Sequence, residues 1–253
     1  MPQALLFDYG GTLDTAARHW AHVLREGYQS TGYKVSEEAF RQAYVYAERL
    51  LAREPHIRPS DDFRTLLYKK INIEVRQLVE ADGLSFPTAA AQEDAVHAIT
   101  DYCNAYAARH AALSARVLTT LRSRYELILV SNFYGNLHAV LQAYGLENYF
   151  DEVIESAVVG VRKPDPAIWQ MGVEAAGCPA ACCVAVGDSF TKDILPARAA
   201  GCETVWFKGE EWKRDLPGEL KKAEDAFSEE FNSDAKRCTI NPIAKNAEFT
   251  VVF

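Results

Sequence analysis

The stretch that decides the fold is Ala4-Leu5-Leu6-Phe7-Asp8-Tyr9-Gly10-Gly11-Thr12-Leu13, close to the start of the chain. Its four consecutive apolar residues, 4–7, are typical of a strand buried on both faces of a parallel sheet. An acid, Asp8, follows at the carboxyl end of that strand, where open α/β sheets bind their ligands. The two glycines allow a sharp turn and a close approach of the backbone to a ligand. An aspartate that only caps a turn would give the same local pattern, so Asp8 alone does not decide the function.

Further apolar runs along the chain extend this strand into a sheet. Amphipathic stretches separate the runs, and alternation of this kind favours a parallel sheet with helices on both faces. The predicted fold class is therefore α/β, with a Rossmann-like parallel sheet as its core. Strands are predicted over Glu126–Ser131, Cys182–Val186 and Glu203–Phe207, with a weaker one from Glu152 to Ile154 that continues into Val158-Val159.

Residues 15–110 follow a different, helical pattern. Apolar residues recur at spacings of three and four from Ala17 onward, and Ser36 with two acids behind it is typical of a helix N-cap. The interval contains no strand-like segment and exceeds the length of one crossover connection. We predict an inserted α-helical cap domain over 15–110 and an α/β core built from 1–14 and 111–253.

Composition and charge narrow the classes of function. Of 253 residues, 49% are hydrophobic and 25% are charged, as in an ordinary globular protein. Lys plus Arg count 27 against 35 for Asp plus Glu, and the net charge of −8 argues against a basic nucleic-acid-binding surface. No apolar run is long enough for a membrane span, and the N-terminus lacks a signal-peptide pattern. We expect a cytoplasmic protein with reduced cysteines and with neither nucleic acid nor membrane as a partner.

A second strand also delivers an acid after a glycine, in Val186-Gly187-Asp188, and Asp193 follows five residues later. If the strands before Asp8 and Asp188 are neighbours, the two carboxylates converge and need a cation or a shared proton between them. Mg²⁺ suits the first option, because it takes carboxylates, carbonyls and waters and often has a phosphate as a partner. Asp193 is equally explained as a residue at the start of a helix.

Two further polar segments are candidates for anion binding. Ser131-Asn132 follows the second strand and can donate hydrogen bonds to an anion, although a simple helix N-cap is the commoner explanation. Lys163 precedes Pro164, which fixes an extended backbone, and can place a positive charge on a phosphate or an acyl phosphate. A lone lysine is usually a solvated surface residue, so this segment is weak evidence by itself.

Taken in chain order, these four segments resemble the motifs of the haloacid dehalogenase (HAD) superfamily, in its subgroup with a helical cap inserted after the first motif. The resemblance covers about residues 4–207. It implies that Asp8 is the nucleophile that forms an aspartyl-phosphate, and that Ser131 and Lys163, with Asn132 beside them, bind the phosphoryl group. It also implies Mg²⁺ held by Asp8, the Gly10 carbonyl and Asp188, with Asp193 orienting metal waters or Lys163. The implied activity is Mg²⁺-dependent hydrolysis of a small phosphorylated substrate, in which Asp8, Ser131, Lys163 and Asp193 are catalytic.

One departure from the family pattern leaves the activity open. The family's phosphatases place an aspartate two residues after the nucleophile as general acid and base, and here that position is Gly10. A phosphatase could use Asp14, a cap residue or a water instead, or prefer substrates with good leaving groups. A phosphonate hydrolase with a Schiff-base lysine in the cap (Lys34, Lys69 or Lys70) and a catalytically weak phospho-ligand-binding protein are the alternatives. The family's metal-free dehalogenases fit less well, because they lack the metal acid that Asp188 supplies.

Overall fold

The chain folds as two compact units. The computed structural model describes residues 1–210, 212, 221–222, 237–238 and 250–252. One unit, here the α/β unit, comprises Met1–His19, Leu113–Asn132 and Tyr149–Phe253. The other, the helical unit, comprises Trp20–Ala112 and Phe133–Asn148. The helical unit therefore includes residues 133–148, which the sequence pattern assigned to the α/β core. The domain bounds at 14/15 and 110/111 stay a prediction.

The α/β unit is built on one sheet, in which five neighbouring strands run parallel. The α/β fold class with a Rossmann-like sheet is thereby confirmed. The weak strand prediction was wrong beyond residue 155, because Ser156–Val159 forms a short helix. The strands are β1 (Ala4–Phe7), β2 (Glu126–Ser131), β3 (Glu152–Glu155), β4 (Cys183–Gly187), β5 (Glu203–Lys208) and, antiparallel, β6 (Arg237–Cys238) and β7 (Thr250–Val252). Their order in the sheet is β3-β2-β1-β4-β5-β7-β6.

The central strand β1 determines where polar residues emerge from the sheet. All four of its residues are buried, which explains its uninterrupted apolar sequence. Phe7 pairs with Leu129 of β2 on one side and with Val186 of β4 on the other. The chain therefore leaves β1, β2 and β4 at the same carboxyl edge, which is where ligands bind in sheets of this type.

Short helices flank this sheet. They are α6 (Ser156–Val159), α7 (Pro166–Ala176), α8 (Leu195–Ala199) and a π-helical turn over Phe190–Ile194. Asp165 caps α7 by accepting the N–H of Ala167 at 2.9 Å, and Gly177 ends the helix with φ of 63°. Gly172 brings α7 close to the sheet, because a Cβ there would lie 2.9 Å from Val130.

The helical unit contains α1 (Trp20–Ser30), α2 (Glu37–Arg53), α3 (Phe63–Glu80), the start of α4 (Ala89–Arg122) and α5 (Leu137–Ala143). Ser36 caps α2 as the sequence predicts, with its side chain accepting the N–H of Ala39 at 3.2 Å. Asp62 caps α3 in the same way at 2.8 Å. Among the described helices, none has both the length and the apolar character that a membrane span requires.

Candidate active site

Three aspartates lie together at the carboxyl edge of the sheet in the α/β unit. Asp8 follows β1, Asp188 follows β4, and Asp193 lies in the π-helical turn behind it. One carboxylate oxygen from each of the three lies within 4.8 Å of the other two. Because Phe7 and Val186 are paired neighbours, the residues that follow them leave the sheet side by side. The structure therefore brings together the two acids expected to converge and adds Asp193 as the third.

The ammonium group of Lys163 lies between two of these carboxylates. Nζ donates to Asp8 Oδ1 at 2.6 Å and to Asp193 Oδ1 at 2.7 Å, and the lysine is only 3% exposed. Charge-assisted bonds of this kind are strong and directional when buried. Three ionised carboxylates against one ammonium leave two negative charges uncompensated, which one divalent cation would neutralise.

Burial and mutual repulsion disfavour the ionised forms of these acids. Burial raises the pKa of Asp8 from 3.8 to about 6, although Lys163 partly lowers it. Burial, followed by the charges of Asp8 and Asp193, raises the pKa of Asp188 well above its usual range. Burial alone would lower the pKa of Lys163, but the two aspartates beside it raise the pKa overall. A cluster in this state favours any ligand that adds positive charge.

Thr12 links two of the acids, although sequence alone gives it no role. Its Oγ1 lies 3.1 Å from Asp8 Oδ2 and 3.4 Å from Asp188 Oδ1, so its hydroxyl can donate to either carboxylate. The residue is buried, at 5% exposure. The signal available in the sequence is its place in the loop after β1, one turn beyond Asp8.

Asn132 fixes the backbone that carries Lys163. Its Oδ1 accepts the Lys163 N–H at 2.8 Å, and its Nδ2 donates to the Lys163 carbonyl at 3.0 Å. The side-chain amide expected to bind an anion is therefore engaged with the chain. Ser131, the other member of the pair, is buried at the end of β2, on the same sheet edge as Asp8.

Two tryptophans support the charged groups from the side away from solvent. The Trp169 ring lies 4.6 Å from Lys163 Nζ, and its Nε1 donates to the carbonyl of Lys192 at 3.2 Å. A cation over an indole face is attracted by the ring. Trp206 Nε1 donates to the backbone carbonyl of Asp188 at 2.9 Å. Neither role is visible in the sequence, since it depends on how the helix that carries Trp169 and the strand that carries Trp206 pack beside the site.

Of the two adjacent glycines after β1, the fold requires only one. Gly11 has φ of +99°, and a Cβ there would lie 2.5 Å from Asp188 Oδ2. Gly10 lies outside the left-handed region and is exposed, and a Cβ there would meet nothing within 4 Å. A side chain is therefore compatible with position 10 and incompatible with position 11.

We expect Gly11→Ala to lower the free energy of unfolding by about 1–3 kcal/mol, since it adds backbone strain and a clash. Gly10→Ala is the matched control, and we expect it to change stability by no more than about 0.5 kcal/mol. Urea unfolding of the two metal-free variants measures both effects. Equal losses at the two positions would contradict this description of the loop.

Asp14, one of the suggested substitute acids, has its side chain bonded to the backbone of the loop after β1. It is fully buried, and its Oδ1 accepts the N–H of Gly11 at 2.7 Å. A carboxylate held in this way stabilises the turn that carries the acidic cluster. It is poorly placed to give a proton to a ligand, because an acid must reach the atom it protonates.

The three lysines suggested for Schiff-base chemistry lie in the helical unit. Lys34 is exposed. Lys69 pairs with Asp61, and Lys70 pairs with Glu48. Although burial lowers the pKa of Lys70, the Glu48 carboxylate raises it overall, so the amine stays charged. A charged amine is not a nucleophile, and a Schiff-base lysine needs its pKa lowered.

The donor set at the sheet edge fits a hard cation such as Mg²⁺. Carboxylate oxygens are ligands that this ion prefers, and the uncompensated charge of the cluster matches its own. Asp8 and Asp188 are the members of the cluster that would hold it, and the backbone carbonyl of Gly10 stays the third ligand predicted from the sequence. Asp193 is tied on both sides, to Lys163 and, through Oδ2, to the N–H of Ser189 at 2.9 Å, which suits an orienting role behind the metal.

Comparison with known proteins identifies relatives of this chain. A family model described as haloacid dehalogenase-like hydrolase matches residues 2–201. The chain is 36% identical over 94 residues to haloacid dehalogenase-like hydrolase domain-containing protein 3 of Danio rerio, covering 36% of this chain and 39% of that protein. It is 36% identical over 92 residues to pyrimidine 5'-nucleotidase YjjG of Escherichia coli K12, covering 36% of this chain and 41% of that protein. The matches thus span about two fifths of these relatives' length.

A solved structure gives the same fold. A dehalogenase crystallised with an intermediate complex has a TM-score of 0.54 and 18% sequence identity, covering 85% of this chain and 88% of its own. At this identity the likeness concerns the fold and not the reaction.

Proposed function

The chain belongs to the haloacid dehalogenase-like hydrolases, and on that premise we propose that it is a Mg²⁺-dependent phosphatase of small phosphorylated molecules that acts through an aspartyl-phosphate on Asp8. One observation carries the proposal: the buried group of Asp8, Asp188 and Asp193 with Lys163 between them. A nucleotidase among the relatives supports phosphate as the group acted upon. The cytoplasmic location and the lack of a nucleic-acid partner stay predictions from the sequence.

Asp8 is the nucleophile of the first step. A carboxylate oxygen of Asp8 forms a bond to phosphorus, the bond from phosphorus to the leaving oxygen breaks, and its electron pair departs with the leaving group. The Lys163 ammonium, 2.6 Å from Asp8 Oδ1, is placed to share its positive charge with the incoming phosphoryl oxygens. Ser131 and the backbone N–H groups beyond it are candidates for the remaining oxygens, because they lie at the same sheet edge.

Water completes the cycle. Its oxygen forms a bond to the phosphorus of the aspartyl-phosphate, and the bond between phosphorus and Asp8 breaks with its electron pair returning to the carboxylate. One water proton stays on the inorganic phosphate that leaves, and the other is released to solvent. Asp193 holds Lys163, and Lys163 contacts Asp8, so this chain of contacts keeps the Asp8 side chain in position for both steps. Bound Mg²⁺ would neutralise charge on the transferring phosphate and hold it for in-line attack.

The alternatives have less support in the described residues. A phosphonate hydrolase needs an uncharged lysine, whereas Lys69 and Lys70 are each paired with an acid. A protein that only binds a phosphorylated ligand would not need a nucleophile and a lysine in direct contact, and it is an outcome of the test below.

The test is hydrolysis of p-nitrophenyl phosphate with Mg²⁺ and after chelation. We expect chelation to lower the rate by about 10²-fold or more and added Mg²⁺ to restore it, because the cluster needs its charge neutralised. Asp188→Asn should raise the Mg²⁺ concentration for half-maximal rate by about 10-fold or more. Glu174→Gln, which removes an exposed acid of α7 in the same unit, is the matched control. An unchanged rate in chelator would contradict the metal assignment, and no turnover under any condition would favour the binding protein.

A further inference from the structure

We infer, resting on the proposed function, that the site selects phosphate compounds whose leaving group departs without a proton, such as acyl phosphates and aryl phosphates. The shared chemistry is a weakly basic leaving oxygen. The inference concerns which substrates Asp8 can attack at a useful rate. It goes beyond the assignment of a phosphatase, because it names the class of substrate.

The first observation is that the fold does not require a glycine at position 10, two residues after the nucleophile. Gly11 is required by its φ of +99° and by the closeness of Asp188, and Gly187 by the closeness of Asp193. Gly10 has neither constraint, and a Cβ there would meet nothing within 4 Å. The open space is therefore a property of the site and not of the fold, and it leaves room for a ligand group next to Asp8.

The second observation is that Lys163 and two polar side chains of the loop after β1, Thr12 and Asp14, already have hydrogen-bond partners in the protein. Thr12 donates from a hydroxyl already shared between two carboxylates. The Lys163 ammonium directs its N–H groups at two carboxylates, Asp8 Oδ1 and Asp193 Oδ1. Asp14 is fully buried and occupied by the N–H of Gly11. Each of these three groups would have to give up one of these contacts before it could donate a proton to a leaving oxygen.

The chemical consequence concerns the first step alone. As the bond from Asp8 to phosphorus forms, the bond to the leaving oxygen breaks and that oxygen receives the electron pair. With no proton delivered in the transition state, the leaving group departs as an anion, and the barrier rises with its basicity. A positioned general acid would remove most of that dependence, since such acids contribute about 10²–10⁴-fold for basic leaving groups.

The experiment is a series of substrates that differ in the basicity of the leaving group. We would measure kcat/KM for acetyl phosphate, aryl phosphates from p-nitrophenyl to phenyl, and an alkyl phosphate, because this ratio reports the step up to formation of phospho-Asp8. The expected result is a steep fall of kcat/KM along the series. A rate that is nearly independent of the leaving group would overturn the inference, because it would mean that another group supplies the proton.

Substitutions at Gly10 test the same inference from the other side. Gly10→Asp should raise the ratio of kcat/KM for the alkyl phosphate to kcat/KM for acetyl phosphate by about 10²-fold, flattening the series. Gly10→Asn is the matched control, since it fills the same space without an acid and should leave the series steep. An equal gain from Asn would overturn the inference.

The two failures are distinguishable. If the unaltered protein hydrolyses no member of the series, acetyl phosphate included, the proposed function itself fails. If it hydrolyses all members at similar rates, the phosphatase stands and only the selectivity for weakly basic leaving groups is lost.

Discussion

Asp8→Asn is expected to lower the turnover of p-nitrophenyl phosphate by about 10⁴-fold or more, because a side-chain amide does not attack phosphorus. The change is nearly isosteric, and the amide keeps one of the two oxygens that accept hydrogen bonds from Thr12 and Lys163. Steady-state rates with saturating Mg²⁺ measure the loss. Turnover within about 10-fold of the unaltered protein would remove Asp8 from the nucleophile role.

The same substitution should make the metal-free protein more stable, which separates lost chemistry from lost folding. Burial raises the pKa of Asp8 from 3.8 to about 6, so the folded protein holds this carboxyl in an unfavourable ionised form at neutral pH. This loss of stability is absent below the unfolded-state pKa of 3.8. It grows as the pH rises from there to the folded-state pKa of about 6, and above that pH it keeps its full value. We expect Asp8→Asn to raise the free energy of unfolding by about 1–3 kcal/mol at about pH 7 and by less at about pH 4. A loss of stability at neutral pH would contradict this picture of the cluster.

Lys163→Met is expected to have the second-largest effect, on stability and rate together. Removing one partner from a buried group of charges costs about 3–5 kcal/mol, because Asp8 and Asp193 lose the ammonium that both contact. Loss of the positive charge at the phosphate should also lower kcat by about 10²–10³-fold. Urea unfolding of the metal-free protein and steady-state rates measure the two effects.

Lys163→Arg is the matched control for that substitution. It keeps the charge, but the planar guanidinium does not reproduce the position of Nζ between two carboxylates. We expect it to recover part of the stability and little of the rate. If Met at this position retained both stability and rate, the assignment of Lys163 to the site would be wrong.

The sheet and the acidic residues were predictable because their signals are local. Four apolar residues followed by Asp8 mark a buried strand and its end, and the same pattern recurs before Asp188. The order of the motifs then indicates the family. The position of Asp193 in the cluster was less certain, since an acid at a helix start has an ordinary explanation.

The supporting contacts were not predictable, because they depend on how the elements pack. Only the fold brings the indole groups of Trp169 and Trp206 to Lys163 and to the backbone of Asp188. Anion binding by Asn132 stays a prediction, and nothing in the sequence indicates that its amide also bonds to the Lys163 backbone. The adjacent glycines look alike in the sequence, and only the backbone angle and the neighbours of Gly11 tell them apart.

The central claim is a covalent phosphoryl group on Asp8, and its most direct test is to locate that group. The protein is mixed with Mg²⁺ and acetyl phosphate or p-nitrophenyl phosphate, quenched in acid within the first turnover, digested and mapped by mass spectrometry. The account predicts a phosphorylated peptide with the group on Asp8, absent from Asp8→Asn. Continued turnover with no phosphorylated residue, or with the group on another residue, would contradict it.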